Sequence, residues 1–333
     1  MTATDSRRYG YRRSARLVRS LGGQIALLLL WGLICFSLCD GELLVQKGRE
    51  ALALCITRVI PVLFPIAAAG GLLTTLAPPP RLLCRPIGRL FGLSDPSVGV
   101  LLIALVSGFP IGAMLASRLL ESERIEGEEA SRLAAYTNNA SAAFLVGCVG
   151  ADFFGSARVG WMLWCSSTLA ALIVGVWMGR NAPRPTPCQV REHSFPSPAE
   201  LASSLKATGI GMLNLTAFVV FFTVFCAFLN RSLDLFLPAN SYAAAAKALI
   251  AAVFEITGGL AAIAKLSSGF PLCMLLAGSA LGWGGLSVFM QCMASGRALQ
   301  VELAGKRLLG ARIWIGLLSG IFAFLFALLW GNA

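Results

Sequence analysis

The chain has 333 residues, of which 57% are hydrophobic and only 13% are charged, and its mean hydropathy is +0.76. Water-soluble domains are usually about 45–50% apolar and about 25% charged. This excess of apolar residues is spread along the chain, so it excludes an ordinary soluble fold, a disordered chain, a disulfide-stapled secreted module and a coiled coil. The remaining class is an all-α, polytopic membrane helix bundle.

The charge balance is basic, with 27 Lys and Arg residues against 16 Asp and Glu residues and a net charge of +11. The basic residues lie between apolar runs, where anionic lipid headgroups and membrane orientation explain them better than nucleic acid does. We therefore predict the lipid bilayer as a partner and no nucleic acid. No two cysteines form a C-x-x-C pair and His193 is the single histidine, so we predict no metal site and no cofactor.

Nine apolar runs are each close to the roughly 20 residues that a membrane-crossing helix needs. They cover 21–38, 51–76, 97–120, 133–154, 159–178, 208–229, 243–266, 271–293 and 309–330. Between the fifth and sixth runs lies the one long hydrophilic stretch. The sequence predicts a basic cytoplasmic arm at 1–20, a first transmembrane helix at 21–40, a first repeat at 50–180, a hydrophilic loop at 181–204 and a second repeat at 205–331.

Two of the runs, 97–120 and 243–266, are broken at their centres. The first break is Ser107-Gly108-Phe109-Pro110, and the second is Glu255-Ile256-Thr257-Gly258-Gly259. Each run is either a kinked crossing helix or a re-entrant hairpin. Hairpins are favoured because they place more of the Lys and Arg residues on the side of the arm. Both topologies remain open, with about seven to nine membrane segments.

The hairpin topology makes the two halves inverted copies of each other. Each half then consists of a helix, a hairpin, a broken helix and a helix, and the halves begin on opposite sides of the membrane. A gapless shift of 146 residues places Gly112 on Gly258 and Ser141 on Ser287, at the helix interruptions. Inverted repeats with paired interrupted segments are typical of secondary transporters.

The first half contributes one group of candidate binding residues. Two adjacent amides project about 100° apart on a helix, so they cannot both hide against one neighbour, and an unpaired amide in hydrocarbon is costly. The alternative is that these groups only hydrogen-bond between helices and hold the bundle together. The predicted substrate-binding residues of this half are Ser107, Gly108, Pro110, Gly112, Asn138, Asn139 and Ser141.

In the second half, Glu255 is the most informative residue because an ionised carboxylate at mid-membrane depth must face a cavity, bind a cation or carry a proton. The alternatives are an interfacial glutamate in a loop and glycines that serve helix packing. The predicted substrate-binding residues of this half are Glu255, Thr257, Gly258, Gly284, Gly285, Ser287 and Gln291.

An ordered set of motifs resembles the sporulation integral membrane protein YlbJ family, which belongs to the larger group that carries the nucleoside-recognition Gate domain. The motifs include Pro61-Val62-Leu63-Phe64-Pro65, Ser107 to Ala113 and Phe254 to Gly259, and the likeness covers about residues 50–310. Phe109 stands where the family usually has Tyr. The resemblance implies a bacterial cytoplasmic-membrane protein associated with spore formation. Its Gate-like region implies a pathway for a nucleoside-like solute.

Two functions follow as hypotheses. The first is a secondary transporter or permease for a small polar solute, driven by a coupling ion or a proton because the chain has no G-x-x-x-x-G-K-[ST] phosphate loop. The second is a non-transporting membrane scaffold for spore envelope (cortex) assembly, in which the loop 181–204 docks partners. No catalytic constellation accompanies the lone His193, so we predict that the protein is not an enzyme.

Overall fold

The computed structural model describes residues 21–76, 79–180, 182–183, 197–237, 240–296 and 304–330, and every regular element in these ranges is helical. The predicted all-α class is confirmed. The predicted arm at 1–20 and most of the loop 181–204 lie outside the described residues. The elements are α1 (Leu21–Cys39), α2 (Gly41–Leu54), π1 (Cys55–Val59), α3 (Ile60–Leu76), α4 (Arg81–Phe91), α5 (Asp95–Ser107), α6 (Ile111–Glu121), α7 (Gly127–Tyr136), π2 (Phe144–Phe153), α8 (Ala157–Arg180), α9 (Pro198–Asp234), α10 (Ser241–Phe254), α11 (Ile256–Ala264), α12 (Phe270–Trp283), α13 (Gly285–Ala294) and α14 (Ala304–Trp330).

Within the described ranges, five helical stretches are long and apolar enough to cross a membrane, and a sixth results if the bent pair α4–α5 counts as one span. The chain is therefore a multi-pass membrane protein. Four of the nine predicted runs, 97–120, 133–154, 243–266 and 271–293, are divided into shorter helices, although the two parts of the last still count as one stretch. The five stretches are Gly41–Leu73, Ala157–Arg180, Pro198–Asp234, Phe270–Ala294 and Ala304–Trp330.

Helix α9 begins at Pro198, inside the predicted loop 181–204, because the sequence supplies a complete start signal there. The Ser197 side chain accepts a hydrogen bond from the Glu200 N–H at 3.2 Å, and the Ser197 N–H donates to the Glu200 carboxylate at 2.8 Å. This reciprocal capping box satisfies two N–H groups that the helix cannot. Pro198 occupies the first turn, where its missing N–H costs nothing.

Polar contacts mark two opposite ends of the bundle. At one end, the "Glu128 face", Arg307 pairs with Glu128 at 3.2 Å. At the other end, the "Asp152 face", Arg58 pairs with Asp152 at 3.7 Å. Helix α8 starts shortly after Asp152, and its 24 residues span about 36 Å at 1.5 Å per residue. That length exceeds a hydrocarbon layer of about 30 Å. The far end of α8 contacts Gly92, whose carbonyl accepts a hydrogen bond from α7 near Glu128, so the two faces lie on opposite sides of this layer.

Helices α5 and α6 form a hairpin, hairpin 1, whose two ends lie together at the Glu128 face. The Ser94 N–H and hydroxyl, just before α5, both donate to the Glu129 carboxylate at 2.7 Å. Glu129 belongs to α7, which follows the end of α6 after a short turn. The chain reverses at Gly108 to Pro110, where a glycine at φ +84° is followed by a cis peptide bond between Phe109 and Pro110.

Helices α10 and α11 form the corresponding hairpin 2. They pack against each other on either side of Glu255, whose backbone is extended. A Cβ on Gly259 would lie 2.5 Å from the Ala252 nitrogen, so the two helices touch backbone to backbone close to the reversal. Lys247 of α10 forms an ion pair with Asp234 at the end of α9. Hairpin 2 is therefore joined to the end of α9 that lies away from the capping box at Ser197.

The helix bounds follow the shift of 146 residues that the sequence suggested. Adding 146 to the bounds of α5 gives 241–253, and α10 covers Ser241–Phe254. The same addition to α8 gives 303–326, and α14 covers Ala304–Trp330. Long helices and broken helices therefore alternate in the same order in both halves.

Helix α4 lies across the direction of the spans, at 88° to α5. Its Arg85 and Arg89 side chains are exposed, as are Leu82 and Leu90. It ends at Gly92, whose φ is +61° and where a Cβ would lie 2.7 Å from the Gly179 carbonyl oxygen. An amphipathic helix at right angles to the spans is typical of a helix that lies in the membrane interface.

The most extensive helix packing in the described ranges joins α12 and α14 through two G-x-x-x-G motifs, Gly278 with Gly282 and Gly316 with Gly320. A Cβ on Gly282 would lie 2.6 Å from the Gly316 Cα atom, and a Cβ on Gly278 would lie 2.6 Å from the Ser319 carbonyl oxygen. Without a hydrophobic driving force between helices in lipid, such close backbone approach is a main source of association.

Gly282→Leu should therefore destabilise the protein by at least about 1–3 kcal/mol, the usual cost of overpacking a filled interface. The measurement is the thermal unfolding of the purified protein in detergent. Gly310→Leu is the matched control, because a Cβ on Gly310 of α14 meets nothing within 4 Å. Equal melting temperatures for the two variants would contradict the importance of this interface.

Candidate functional site

The interrupted segments of both halves meet at one cavity of about 190 Å³. Its lining comes from π1 and α3, from the tip of hairpin 1, from the break before π2, from α9, from the break in hairpin 2 and from α13. The predicted site residues that line it are Gly108, Ser141, Glu255, Thr257, Ser287 and Gln291. This "central cavity" is therefore lined by residues of three predicted interruptions and by the helix that follows the fourth.

In the first half, the tip of hairpin 1 rests directly on the break between α7 and π2. A Cβ on Gly108 would lie 2.8 Å from the Ser141 nitrogen and 2.9 Å from the Ser141 Cβ atom. Gly108 also adopts a φ of +84°, which L-residues with side chains rarely adopt. Glycine is required here for both reasons. The Ser141 hydroxyl accepts from the Phe144 N–H at 3.3 Å and so starts the helical segment that follows.

The second half contains a similar contact, but here the glycine belongs to the broken helix and not to the hairpin tip. Gly285, the first residue of α13 after the break, lies against the tip of hairpin 2. A Cβ on Gly285 would lie 3.2 Å from the Ile256 nitrogen and 3.3 Å from the Phe254 carbonyl oxygen. The Trp283 indole N–H donates to the Val253 carbonyl at 3.0 Å. Each hairpin tip is therefore packed on the broken helix of its own half.

Glu255 caps α11 and faces the central cavity. Its two carboxylate oxygens accept hydrogen bonds from the Thr257 N–H at 2.9 Å and the Gly258 N–H at 2.7 Å. The residue is only 3% exposed. A carboxylate at the N-terminus of a helix is stabilised by the free N–H groups and by the helix dipole. Each oxygen keeps further acceptor capacity toward the cavity.

Ser287 and Gln291 lie one turn apart on α13 and are bonded to each other. The Gln291 amide N–H donates to the Ser287 hydroxyl at 3.0 Å, and both side chains are buried. The Gln291 carbonyl oxygen Oε1 has no hydrogen-bond partner. A buried amide oxygen without a partner is costly, so this acceptor is suited to a donor group of a bound solute.

The two predicted asparagines are buried behind the cavity lining. The Asn138 side-chain oxygen accepts from the Ala113 N–H at 3.0 Å, and its amide donates to the Ala134 carbonyl at 2.5 Å. The Asn139 amide donates to the Tyr136 carbonyl at 2.9 Å, and its Oδ1 has no partner. Asn138 therefore caps α6 of hairpin 1. Its contacts follow the alternative in which these amides pair with neighbouring helices.

The other predicted residues shape the breaks. The Ser107 hydroxyl donates to the Ile103 carbonyl within α5 at 2.8 Å. A Cβ on Gly112 would lie 2.7 Å from the Thr137 carbonyl oxygen, so this glycine lets α6 approach the first break. Gly284 ends α12 at a φ of +82°. Gly258 contributes its N–H to Glu255, and Pro110 lines a second cavity that is described below.

Sequence reasoning missed Arg58, which lines the central cavity from π1. Its side chain is 63% exposed and pairs with Asp152 of π2 at 3.7 Å. A lone arginine inside the run 51–76 was the available signal, since charged residues in apolar runs face protein or water. Both π-helical segments contribute to the cavity wall, and such segments are frequent at functional sites.

Sequence reasoning also missed Arg312, a fully buried arginine within the last apolar run. Its guanidinium Nη2 donates to the Asn138 carbonyl oxygen, while its Nη1 has no hydrogen-bond partner. A Cβ on Gly284 would lie 3.9 Å from Nη1. Arg312 therefore lies between the broken helices of the two halves and satisfies a carbonyl that the first break exposes.

Comparison with known proteins gives one informative relative. The chain is 27% identical, over an alignment of 282 residues, to the sporulation integral membrane protein YlbJ of Bacillus subtilis. The chain is related to the YlbJ family. The alignment covers 74% of this chain and 65% of the length of that YlbJ protein, which is less than two thirds. No family model and no solved structure matches the chain.

Because Asn138 caps α6, Asn138→Ala should leave the Ala113 N–H without an acceptor and lower the free energy of unfolding by about 1–3 kcal/mol. Thermal unfolding in detergent measures this loss. Asn214→Ala, at an exposed asparagine of α9, is the matched control and should leave the melting temperature nearly unchanged. A melting temperature for Asn138→Ala equal to that of the parent would remove the capping role.

Proposed function

We propose that this multi-pass membrane protein is a secondary transporter or permease that carries a small polar solute through the central cavity. The observation that carries the proposal is that three helix interruptions and the helix after the fourth, from both halves, line one cavity. Interrupted helices at mid-membrane depth are tolerated only where they line a cavity or are buried in protein. Paired interruptions in inverted halves favour transport over a purely structural bundle.

The lining suits a small solute that has both an apolar surface and a few hydrogen-bonding groups. Most of the wall is formed by aliphatic and aromatic side chains such as Val59, Phe109 and Val219, and the polar groups are few and convergent. This pattern is typical of small-molecule sites. Among such solutes, a nucleoside is the class that the likeness to Gate-domain proteins favours. We propose Ser141, Thr257, Ser287 and Gln291 as hydrogen-bonding residues.

Glu255 is the proposed coupling group. It is the one acid that lines the described part of the central cavity, and both of its oxygens are fixed by backbone N–H groups. A fixed carboxylate can bind a cation or exchange a proton without moving its helix. Either event changes the charge of the cavity and would couple solute movement to a gradient of that cation or of protons.

The relation to YlbJ supports a role in sporulation, and the distribution of Lys and Arg favours a cytoplasmic location for the N-terminal arm. On this orientation the Glu128 face is cytoplasmic and the Asp152 face is extracytoplasmic.

Glu255→Gln should abolish coupled uptake, because the amide keeps the shape of the side chain but neither carries a proton nor binds a cation as a carboxylate does. The measurement is uptake of radiolabelled uridine into proteoliposomes under an imposed proton or sodium gradient. Glu50→Gln is the matched control, since Glu50 forms an exposed ion pair with Lys47 on α2. The control should retain parental uptake.

Two results would contradict the proposal. Parental uptake by Glu255→Gln would remove Glu255 from the mechanism. If the parent protein accumulated no more uridine or other nucleoside than protein-free vesicles under either gradient, nucleoside transport itself would be excluded. In that case the scaffold hypothesis, in which the polar groups serve only helix pairing, would be favoured.

A further inference from the structure

A second cavity, of about 220 Å³, lies toward the Glu128 face. Its lining comes from hairpin 1, from the first half of α9 and from the end of α13. It is more polar than the central cavity and includes Arg118, Glu121 and Asn214. We call it the "Glu128-side cavity".

The arginine of this cavity is held in place by the surrounding helices. The Arg118 guanidinium donates to the Thr208 hydroxyl of α9 at 3.1 Å and to the Ser204 hydroxyl at 3.4 Å. A Cβ on Gly71 of α3 would collide with the guanidinium. Glycine at 71 therefore makes room for a charged group that a packed apolar bundle would exclude.

The two cavities share two lining residues, Leu215 of α9 and Gln291 of α13. They extend in opposite directions from this shared wall. The central cavity reaches Arg58 and thus the Asp152 face, whereas the other reaches Glu121 and Gly296 at the end of α13. Both wall residues are buried, at 2% and 3% exposure.

We infer that the two cavities are the two halves of one permeation pathway and that Leu215 and Gln291 form the barrier between them. The inference deepens the proposed function and rests on it for the occupant, a small polar solute that passes from one cavity to the other. Leu215 supplies an apolar seal from an uninterrupted helix. Gln291 supplies a buried amide oxygen that has no hydrogen-bond partner within the described protein.

Accessibility of single thiols tests the barrier without any transported solute. The native Cys148 lines the central cavity, and Asn214→Cys would place a second thiol in the Glu128-side cavity. The probe is a membrane-impermeant trimethylammonium methanethiosulfonate, applied to right-side-out and inverted membrane vesicles, with the modified residue identified by peptide mass spectrometry. We expect Cys148 to react from one side only and the thiol at 214 from the opposite side only.

Leu215→Ala should connect the cavities, so that the thiol at 214 also reacts from the side that modifies Cys148, with a rate raised several-fold above the parent. If the thiol at 214 still reacts at the parental rate from the side of the Glu128-side cavity, the Leu215→Ala variant is folded. Leu213→Ala is the matched control, because Leu213 lies two residues away and is 71% exposed on the outside of the same helix. It should leave both patterns as in the parent.

Three results would overturn the inference: reaction of the thiol at 214 from both sides in the parent, an unchanged pattern in Leu215→Ala, or the same change in Leu213→Ala. If Leu215→Ala does not accumulate in the membrane, Leu215→Cys replaces it. The thiol at 215 should then react from both sides. Reaction from one side only, or from neither side, contradicts the barrier.

The inference and the proposed function can fail separately. If Leu215→Ala connects the two cavities but the parent takes up no nucleoside, the proposed transport is contradicted and the pathway is kept. If uptake depends on Glu255 but Leu215→Ala leaves the pattern unchanged, the barrier is contradicted and the proposed transport is kept.

Discussion

The structure depends on one constraint, which is that backbone N–H and C=O groups freed in the middle of a membrane must find partners within the protein or in an enclosed polar space. This chain frees them at four places and brings the four together. Gly108 packs on Ser141 in the first half, and Gly285 packs on Ile256 in the second. Close backbone approach at each contact requires a residue without a side chain. The central cavity follows from this packing, because two hairpin tips that meet two broken helices cannot fill the space between them.

The two halves satisfy the same need with different chemistry. The first turn of α6, in hairpin 1, is capped by the neutral amide of Asn138 from the neighbouring broken helix. The first turn of α11, in hairpin 2, is capped by the carboxylate of its own Glu255. The two hairpins present two similar helix N-termini, each with a partial positive charge. Only one of them carries an acid, and Glu255 is the one acid in the described lining of the central cavity.

Much of the fold could be predicted from the sequence because membrane helices must be long and apolar, and because Gly, Pro and a mid-run Glu mark where they break. The breaks at Gly108, Glu255 and Gly284 were found in this way. The orientation of the asparagines could not be predicted, since an amide in an apolar run needs a partner but nothing local says whether that partner is a helix or a cavity. Arg312 was missed for a related reason. Its partner, the Asn138 carbonyl, lies far away along the chain.

The separation of the two cavities follows from the same constraint. Broken helices need polar surroundings, and here they open the central cavity toward one face while hairpin 1 and the end of α13 leave a second space toward the other. A continuous helix such as α9 satisfies its own backbone and can present an apolar side chain at mid-depth. Leu215 occupies that position. An apolar residue of an unbroken helix, placed between two cavities that are lined partly by interrupted helices, is what the proposed barrier requires.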